Sequence, residues 1–297
     1  MRVLVSGASG LVGSALIRRL PAPNEAVRLV RGEPAPGLKH VHWDPDAGTV
    51  DADGLEDLDA VVHLAGENLA SGRWTEAKKA CIRNSRVRGT SLLAQALAGL
   101  ARPPKVLVSA SAVGYYGNRG SDALDETSEP GAGFLADVCR AWEAATQPAS
   151  AAGIRVVHAR LGVVLDRQGG VLARLLPLFR LGLGGRLGSG RQYLSWITLD
   201  DAARAIMSIL ERDSLQGPVN VTSPRPVTNR EFTAVLGRVL HRPTLFLAPA
   251  LMLRLALGEM ADEMLLSGAR VMPRKRESSG FVFSDPDLER AVRRIVG

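Results

Sequence analysis

Cysteine is scarce: the 297 residues contain two, Cys81 and Cys139. A disulfide framework is thereby excluded. Neither cysteine has a histidine at metal-ligand spacing, so no metal site is expected and a reducing compartment suits the chain. Aromatic residues are also few, at 4%. They do not interleave with the short basic cluster Arg274-Lys275-Arg276, so the stacking platform of a single-strand binder is missing and no nucleic-acid partner is expected. The net charge of +7 rests on scattered arginines and reads as a solvated basic surface able to attract anions. No apolar run approaches the ~18 residues of a membrane span, so no membrane partner is expected. The N-terminus enters a strand without a signal-peptide pattern, and the chain reads as cytoplasmic. Internal repeats and low-complexity segments are absent.

What is present begins at once. Arg2-Val3-Leu4-Val5 is a β-branched apolar run, Ser6-Gly7-Ala8-Ser9-Gly10-Leu11-Val12-Gly13 follows it, and Ser14 to Leu20 spaces its apolar residues as a helix does. Strand, glycine turn and helix together are the context of a dinucleotide fingerprint. Gly7 permits the tight turn, Gly10 lets backbone N–H groups approach a pyrophosphate, and Gly13 lets the helix lie close to the strand. The diphosphate then sits where the unpaired N–H groups and the helix dipole favour negative charge. The spacing is Gly-x-x-Gly-x-x-Gly rather than the commoner Gly-x-Gly-x-x-Gly.

Further strands and helices alternate along the chain, which predicts a parallel, doubly wound α/β sheet of Rossmann type. Ala26–Val30 is the second strand, ending at Arg31. An acidic residue there suits a ribose 2′-hydroxyl, whereas arginine suits a 2′-phosphate, so Arg31 favours NADP over NAD unless it is a plain surface arginine. Asp59 to Gly66 is a buried strand whose terminal Ala65-Gly66 lets a cofactor pass close to the backbone; its lone His63 is assigned no chemistry. Glu76 to Leu100 is helical, and Lys105 to Ala112 is the next strand. Ser111, with one of Tyr115 and Tyr116, offers hydroxyls at the strand end, where open α/β sheets bind ligands. Asn118 to Gly133 is polar and glycine-rich and reads as a mobile flap, Phe134 to Ala145 as a helix, and Ile154 to Leu165 as one strand. Asp201 is placed as the cap of a helix over 202–210. Arg180 to Gly185 reads as a loop lining a substrate lobe, where Arg174, Arg180, Arg186 and Arg191 either meet an anionic substrate or are solvated. Helical patterns over 231–240, 249–257 and 259–272 make that lobe smaller and mostly helical. The expected division gives residues 1–165 and 199–222 to the nucleotide domain and 166–198 and 223–297 to the substrate lobe.

Ser6 to Gly13, His63-Leu64-Ala65-Gly66, Gly89-Thr90-Ser91-Leu92-Leu93, Ser109-Ala110-Ser111, Tyr116-Gly117 and Trp196 to Asp201 resemble the hallmarks of the extended short-chain dehydrogenase/reductases. Trp74, Ser85-Arg86, Trp142-Glu143, Arg160 to Leu165, Leu176 to Gly185 and the tail from Pro249 narrow the resemblance to the atypical "epimerase family" proteins of undefined substrate. The resemblance implies NADP(H) held by the glycine loop (Gly7, Ser9, Gly10, Leu11, Val12 and Gly13) and by Arg31. Leu64, Ala65 and Gly66 then lie beside it, and Arg86, Ser109 and Val164 complete the contacts. It implies hydride transfer with Ser111 polarising an oxygen and Tyr115 or Tyr116 handling the proton.

One departure stands out. The superfamily's Tyr-x-x-x-Lys pair is missing: the candidate positions hold Phe134 and Val138 or, shifted by one, Leu135 and Cys139. The expected function is therefore an NADP(H)-dependent oxidoreductase or epimerase acting on a small molecule, working as monomer or homodimer. The alternative is an NADP(H)-binding sensor that has lost turnover.

Overall fold

The computed structural model describes residues 1–32 and 37–297. Its centre is a sheet of eight strands: β1 (Arg2–Ser6), β2 (Glu25–Val30), β3 (His40–Asp44), β4 (Thr49–Val50), β5 (Ala60–His63), β6 (Val106–Ala112), β7 (Arg155–Leu161) and β8 (Gly217–Val221). The spatial order is β8-β7-β6-β5-β1-β2-β3-β4, and every pairing is parallel except β3 with β4. From β1 the chain first builds outward through β2, then returns to β5 on the other side. The crevice at that switch is where doubly wound sheets take their ligands.

The strands are apolar in both alternating positions because both faces are covered. Val3, Val5, Val62, Val108 and Val157 enter the core shared with Leu16, Ile206 and Ile209. Leu4, Val61, Leu107 and Leu29 point to the opposite core, with Trp43, Leu93 and Leu97. The helices that supply these contacts are α1 (Leu11–Arg19) and α2 (Glu76–Ala98), followed by α3 (Phe134–Ala144), α4 (Gly170–Arg180) and α5 (Leu199–Glu211). Two later helices, α6 (Asn229–Leu240) and α7 (Leu288–Val296), pack with α4 around Trp196 in a third core. No helix of the described residues is long and apolar enough to cross a membrane.

Side chains cap most of these helices. Thr75 caps α2, Asp287 caps α7, and Thr228 with Glu231 forms a reciprocal capping box at α6. At α5 the cap is Thr198, whose hydroxyl accepts from the Asp201 N–H, so the expected capping by Asp201 is corrected. The Asp201 carboxylate is buried inside the helix and accepts from the Ser284 and Asp285 N–H groups at 3.0 and 3.1 Å.

Three other expectations change. The run Ile154 to Leu165 is not one strand: it breaks at Gly162, and Val163–Leu165 pairs instead with Trp196–Thr198. A β-carbon on Gly162 would lie 2.5 Å from the Ser195 carbonyl oxygen, so only glycine lets the chain turn there. Residues 118–133 are pinned rather than hanging free: Ala123–Leu124 pairs with Arg270–Val271, and the Gly131 N–H donates to the Tyr115 carbonyl at 2.9 Å. The expected helix over 259–272 ends at Leu266 and gives way to that extended pair.

Candidate active site

The glycine turn leaves β1 at its C-terminal end, facing the switch crevice. Gly7 has φ of +63°, and a β-carbon on it would lie 2.9 Å from the Leu64 carbonyl group. On Gly13 a β-carbon would come within 2.3 Å of the Gly7 carbonyl oxygen, which is how closely α1 approaches the turn. Gly10 starts α1 and has no side chain to cap it; no acidic residue stands in the first turn. The first-turn N–H groups therefore lack a side-chain acceptor, as an anion site requires. Ser9 and Gly10 are exposed, with Leu11 and Val12 half-buried behind them. The Ser6 hydroxyl ties this turn to β5: it accepts from the Leu64 and Ala65 N–H groups at 2.9 and 3.1 Å and lies 2.7 Å from His63 Nδ1.

Arg31 is exposed just beyond β2, where its carbonyl accepts from His42 Nε2 at 2.9 Å. Its guanidinium makes no hydrogen bond or ion pair among the described residues. The Glu67 carboxyl, beyond β5, is held below its ordinary range chiefly by the hydrogen bond from Lys78, and the Arg31 charge adds to this. Gly66 is exposed, and a β-carbon there would meet the Arg86 guanidinium at 3.2 Å. Arg86 itself donates to the Ile82 and Glu67 carbonyls at 3.1 and 3.0 Å and lies 5.1 Å from the Trp142 ring. Val164 packs near Leu11 and Val12. Ser109 is wholly buried in β6, with its hydroxyl turned to the Ala110 carbonyl.

The expected catalytic hydroxyls are drawn into a buried network. Ser111 donates to Glu143 Oε1 at 2.7 Å. Arg160, beside Ser111 in the β6–β7 register, donates to both oxygens of the same carboxylate at 2.8 and 2.9 Å. Burial works against the Arg160 cation, but Glu143 outweighs it and holds the guanidinium charged. Arg160 also donates to the Tyr116 hydroxyl at 2.9 Å, which in turn donates to Asn220 Oδ1 at 2.8 Å. Tyr116 is fully enclosed, and burial pushes its phenol up to about 12 despite Arg160. Tyr115 is half-buried with its ring 3.5 Å from the Arg160 guanidinium carbon. These bonds commit the Ser111 and Tyr116 hydroxyls to partners within the protein. A serine hydroxyl has one proton; given to Glu143, it is not offered to a substrate oxygen, and the Tyr116 phenol has no exposed surface.

Beside this network lies a cavity of about 540 Å³, formed by the ends of β6 and β7, the first turns of α3 and the 262–269 segment. Arg86 lines it and so joins it to the crevice beyond β5. Neither Ser111, Tyr115 nor Tyr116 lines it, whereas Leu135, Val138 and Cys139 do, the positions where the missing catalytic pair would stand. Burial pushes the Cys139 thiol up to about 11, with Glu143 adding to it. None of Arg174, Arg180, Arg186 and Arg191 lines the cavity, nor does any of residues 180–185; Arg174 reaches only the Ala70 carbonyl.

Sequence reasoning passed over three groups at this cavity. Glu263, from a stretch read only as helical, caps α3 by accepting from the Phe134 and Leu135 N–H groups at 3.1 and 3.2 Å. Arg254 pairs with Asp262 at 2.9 Å, and Tyr193 completes the wall. The signal was there in Asp262-Glu263, two carboxylates interrupting a Leu/Met run.

Comparison with known proteins gives a consistent result. The model of the NAD dependent epimerase/dehydratase family matches residues 3–222, and that of a domain of unknown function matches residues 248–295. An epimerase family protein of Mycobacterium bovis is 49% identical over 293 residues, 98% of this chain and 96% of its own length. A human epimerase family protein is 38% identical with both chains covered in full. The crystal structure of the human protein with NADPH has a TM-score of 0.91 at 36% identity, over 99% of each chain.

Proposed function

The chain belongs to the NAD dependent epimerase/dehydratase family, and from that membership we propose an NADP(H)-dependent oxidoreductase that works in the reductive direction. The human relative crystallised with NADPH supports this cofactor, and the residues fit it on their own account. The uncapped start of α1 and the close approaches at Gly7 and Gly13 suit a diphosphate. Arg31, exposed and without a partner among the described residues, suits a 2′-phosphate. When bound, the cofactor supplies the hydride. Residues 1–165 and 199–222 serve the nucleotide in this reading, and 166–198 and 223–297 serve the substrate.

The observation that carries the direction is what the cavity lacks. Oxidising an alcohol needs a group that accepts its proton near working pH. No histidine lines the cavity, Cys139 holds its proton up to about 11, Glu263 is spent on the α3 N–H groups and Asp262 on Arg254. Reduction needs only a proton donor, and Tyr193 is the tyrosine that lines the cavity. An epimerase would need both directions and is the weaker reading. The test is turnover by the purified protein on a panel of aldehydes and ketones with NADPH, and of the matching alcohols with NADP⁺. Faster reduction than oxidation at neutral pH is expected, and faster oxidation contradicts the reading.

A second reading, an NADP(H)-binding sensor, rests on the commitment of Ser111 to Glu143 and the enclosure of Tyr116. Tight NADPH binding with no turnover on any carbonyl would select it.

A further inference from the structure

The charges around the cavity cancel within the protein. Four side chains of formal charge line it: Arg86, Arg254, Asp262 and Glu263. Arg86 spends its guanidinium on two backbone carbonyls and the Trp142 face. Arg254 directs Nε at both Asp262 oxygens, at 3.0 and 3.1 Å, and adds Nη2 at 2.9 Å. Glu263 is taken up by the first N–H groups of α3. Two cations and two anions give the wall a formal charge of zero, and Arg254 is already paired with Asp262.

The rest of the wall is mostly apolar. Strand ends give Val113, Leu161 and Val163, α3 gives Leu135 and Val138, and the C-terminal segment gives Met264. The hydrogen-bonding capacity left over is neutral. Ser195 is committed, donating to the Ala269 carbonyl and accepting from the Val271 N–H, and Ser267 donates to the Asp262 and Glu263 carbonyls. Among the described residues the Tyr193 hydroxyl and the Asn118 amide have no side-chain hydrogen bond.

We propose that the cavity accepts a neutral, largely apolar carbonyl compound, with Tyr193 or Asn118 meeting its oxygen, and that it rejects nucleoside diphosphate sugars. The inference rests on the reductive NADPH reading. Burying a diphosphate against this wall would leave its charges without matching cations. Burying methylenes, by contrast, is favourable at ~0.8 kcal/mol each.

The test starts by titrating the protein with NADPH, so that failure of the cofactor reading shows before any substrate is added. The protein loaded with NADP⁺, which cannot reduce them, is then titrated with straight-chain methyl ketones of rising length, with keto acids of matching length, and with UDP-glucose. About fourfold tighter binding per methylene is expected, the fold-change equivalent of that transfer energy. Keto acids are expected to bind more weakly than their ketones, and UDP-glucose not to compete. UDP-glucose binding as tightly as the ketones, affinity independent of chain length, or no ketone binding at all would overturn the proposal. Asp262→Ala adds a second arm. Both members of the Arg254–Asp262 pair are about half exposed, so the fold should survive, and a freed Arg254 should favour the keto acid several-fold. An unchanged keto-acid preference in that variant would contradict the charge balance.

Discussion

His63 sits wholly buried at the end of β5 with its Nε2 unpartnered and its ring edge-on to Trp43. Burial pushes its imidazole down from 6.5 to about 4, so it is neutral in the folded protein. The unfolded chain binds this proton more readily, and stability therefore falls as pH drops from about 6.5 towards 4. Over the whole window the loss amounts to roughly 3 kcal/mol from this one group. Urea unfolding across that range should show a shallower decline for His63→Gln than for the wild type; parallel declines would contradict the assignment. A lone histidine carries no role that can be read from sequence, and its structural use with Ser6 was not readable there, because the two lie 57 positions apart and meet only through the β1–β5 register. The same holds for Glu143 and Arg160. Both were visible as residues of the resemblance, but the bond between them depends on α3 lying over β7. Ser111 donates to the same carboxylate.

Among the elements, the strand–turn–helix at the start was legible because each step is local: an apolar run, glycines at three fixed offsets, an amphipathic helix. Its tightest contact yields a prediction. Gly13→Ala places a β-carbon 2.3 Å from the Gly7 carbonyl oxygen, backbone that cannot swing away as a side chain would. The first turn of α1 must shift, and NADPH affinity should fall at least tenfold while far-UV circular dichroism stays that of a folded protein. Unchanged affinity would mean that the nucleotide does not use this turn. Elements that sequence misjudged depend on distant neighbours. Ile154 to Leu165 reads as one strand because it is rich in β-branched and apolar residues, yet the Ser195 carbonyl requires glycine at the break, Gly162. Thr198 and Asp201 are both sound capping residues in isolation, and α5 starts three residues earlier than expected. Polar residues 118–133 read as a flap because nothing local reveals their pairing with Arg270–Val271, far along the chain.

At the scale of the whole molecule, the parallel sheet with its two buried faces follows from the alternation of strands and helices, and the family from motifs spread over nearly the full length. The cavity was not legible, since its wall combines strand ends, α3 and a segment more than a hundred residues further on. Knowing which arginines exist did not show that four of them face elsewhere. The central claim is a nucleotide site specific for the phosphorylated cofactor, and calorimetric titration of folded, ligand-free protein with NADPH and NADH, in the wild type and in Arg31→Asp, tests it most directly. NADPH should bind about 10–100-fold more tightly than NADH, the worth of a hydrogen bond to a charged group, and Arg31→Asp should erase the difference. Heat from neither nucleotide at millimolar concentration, or equal affinity for both in the wild type, would contradict it.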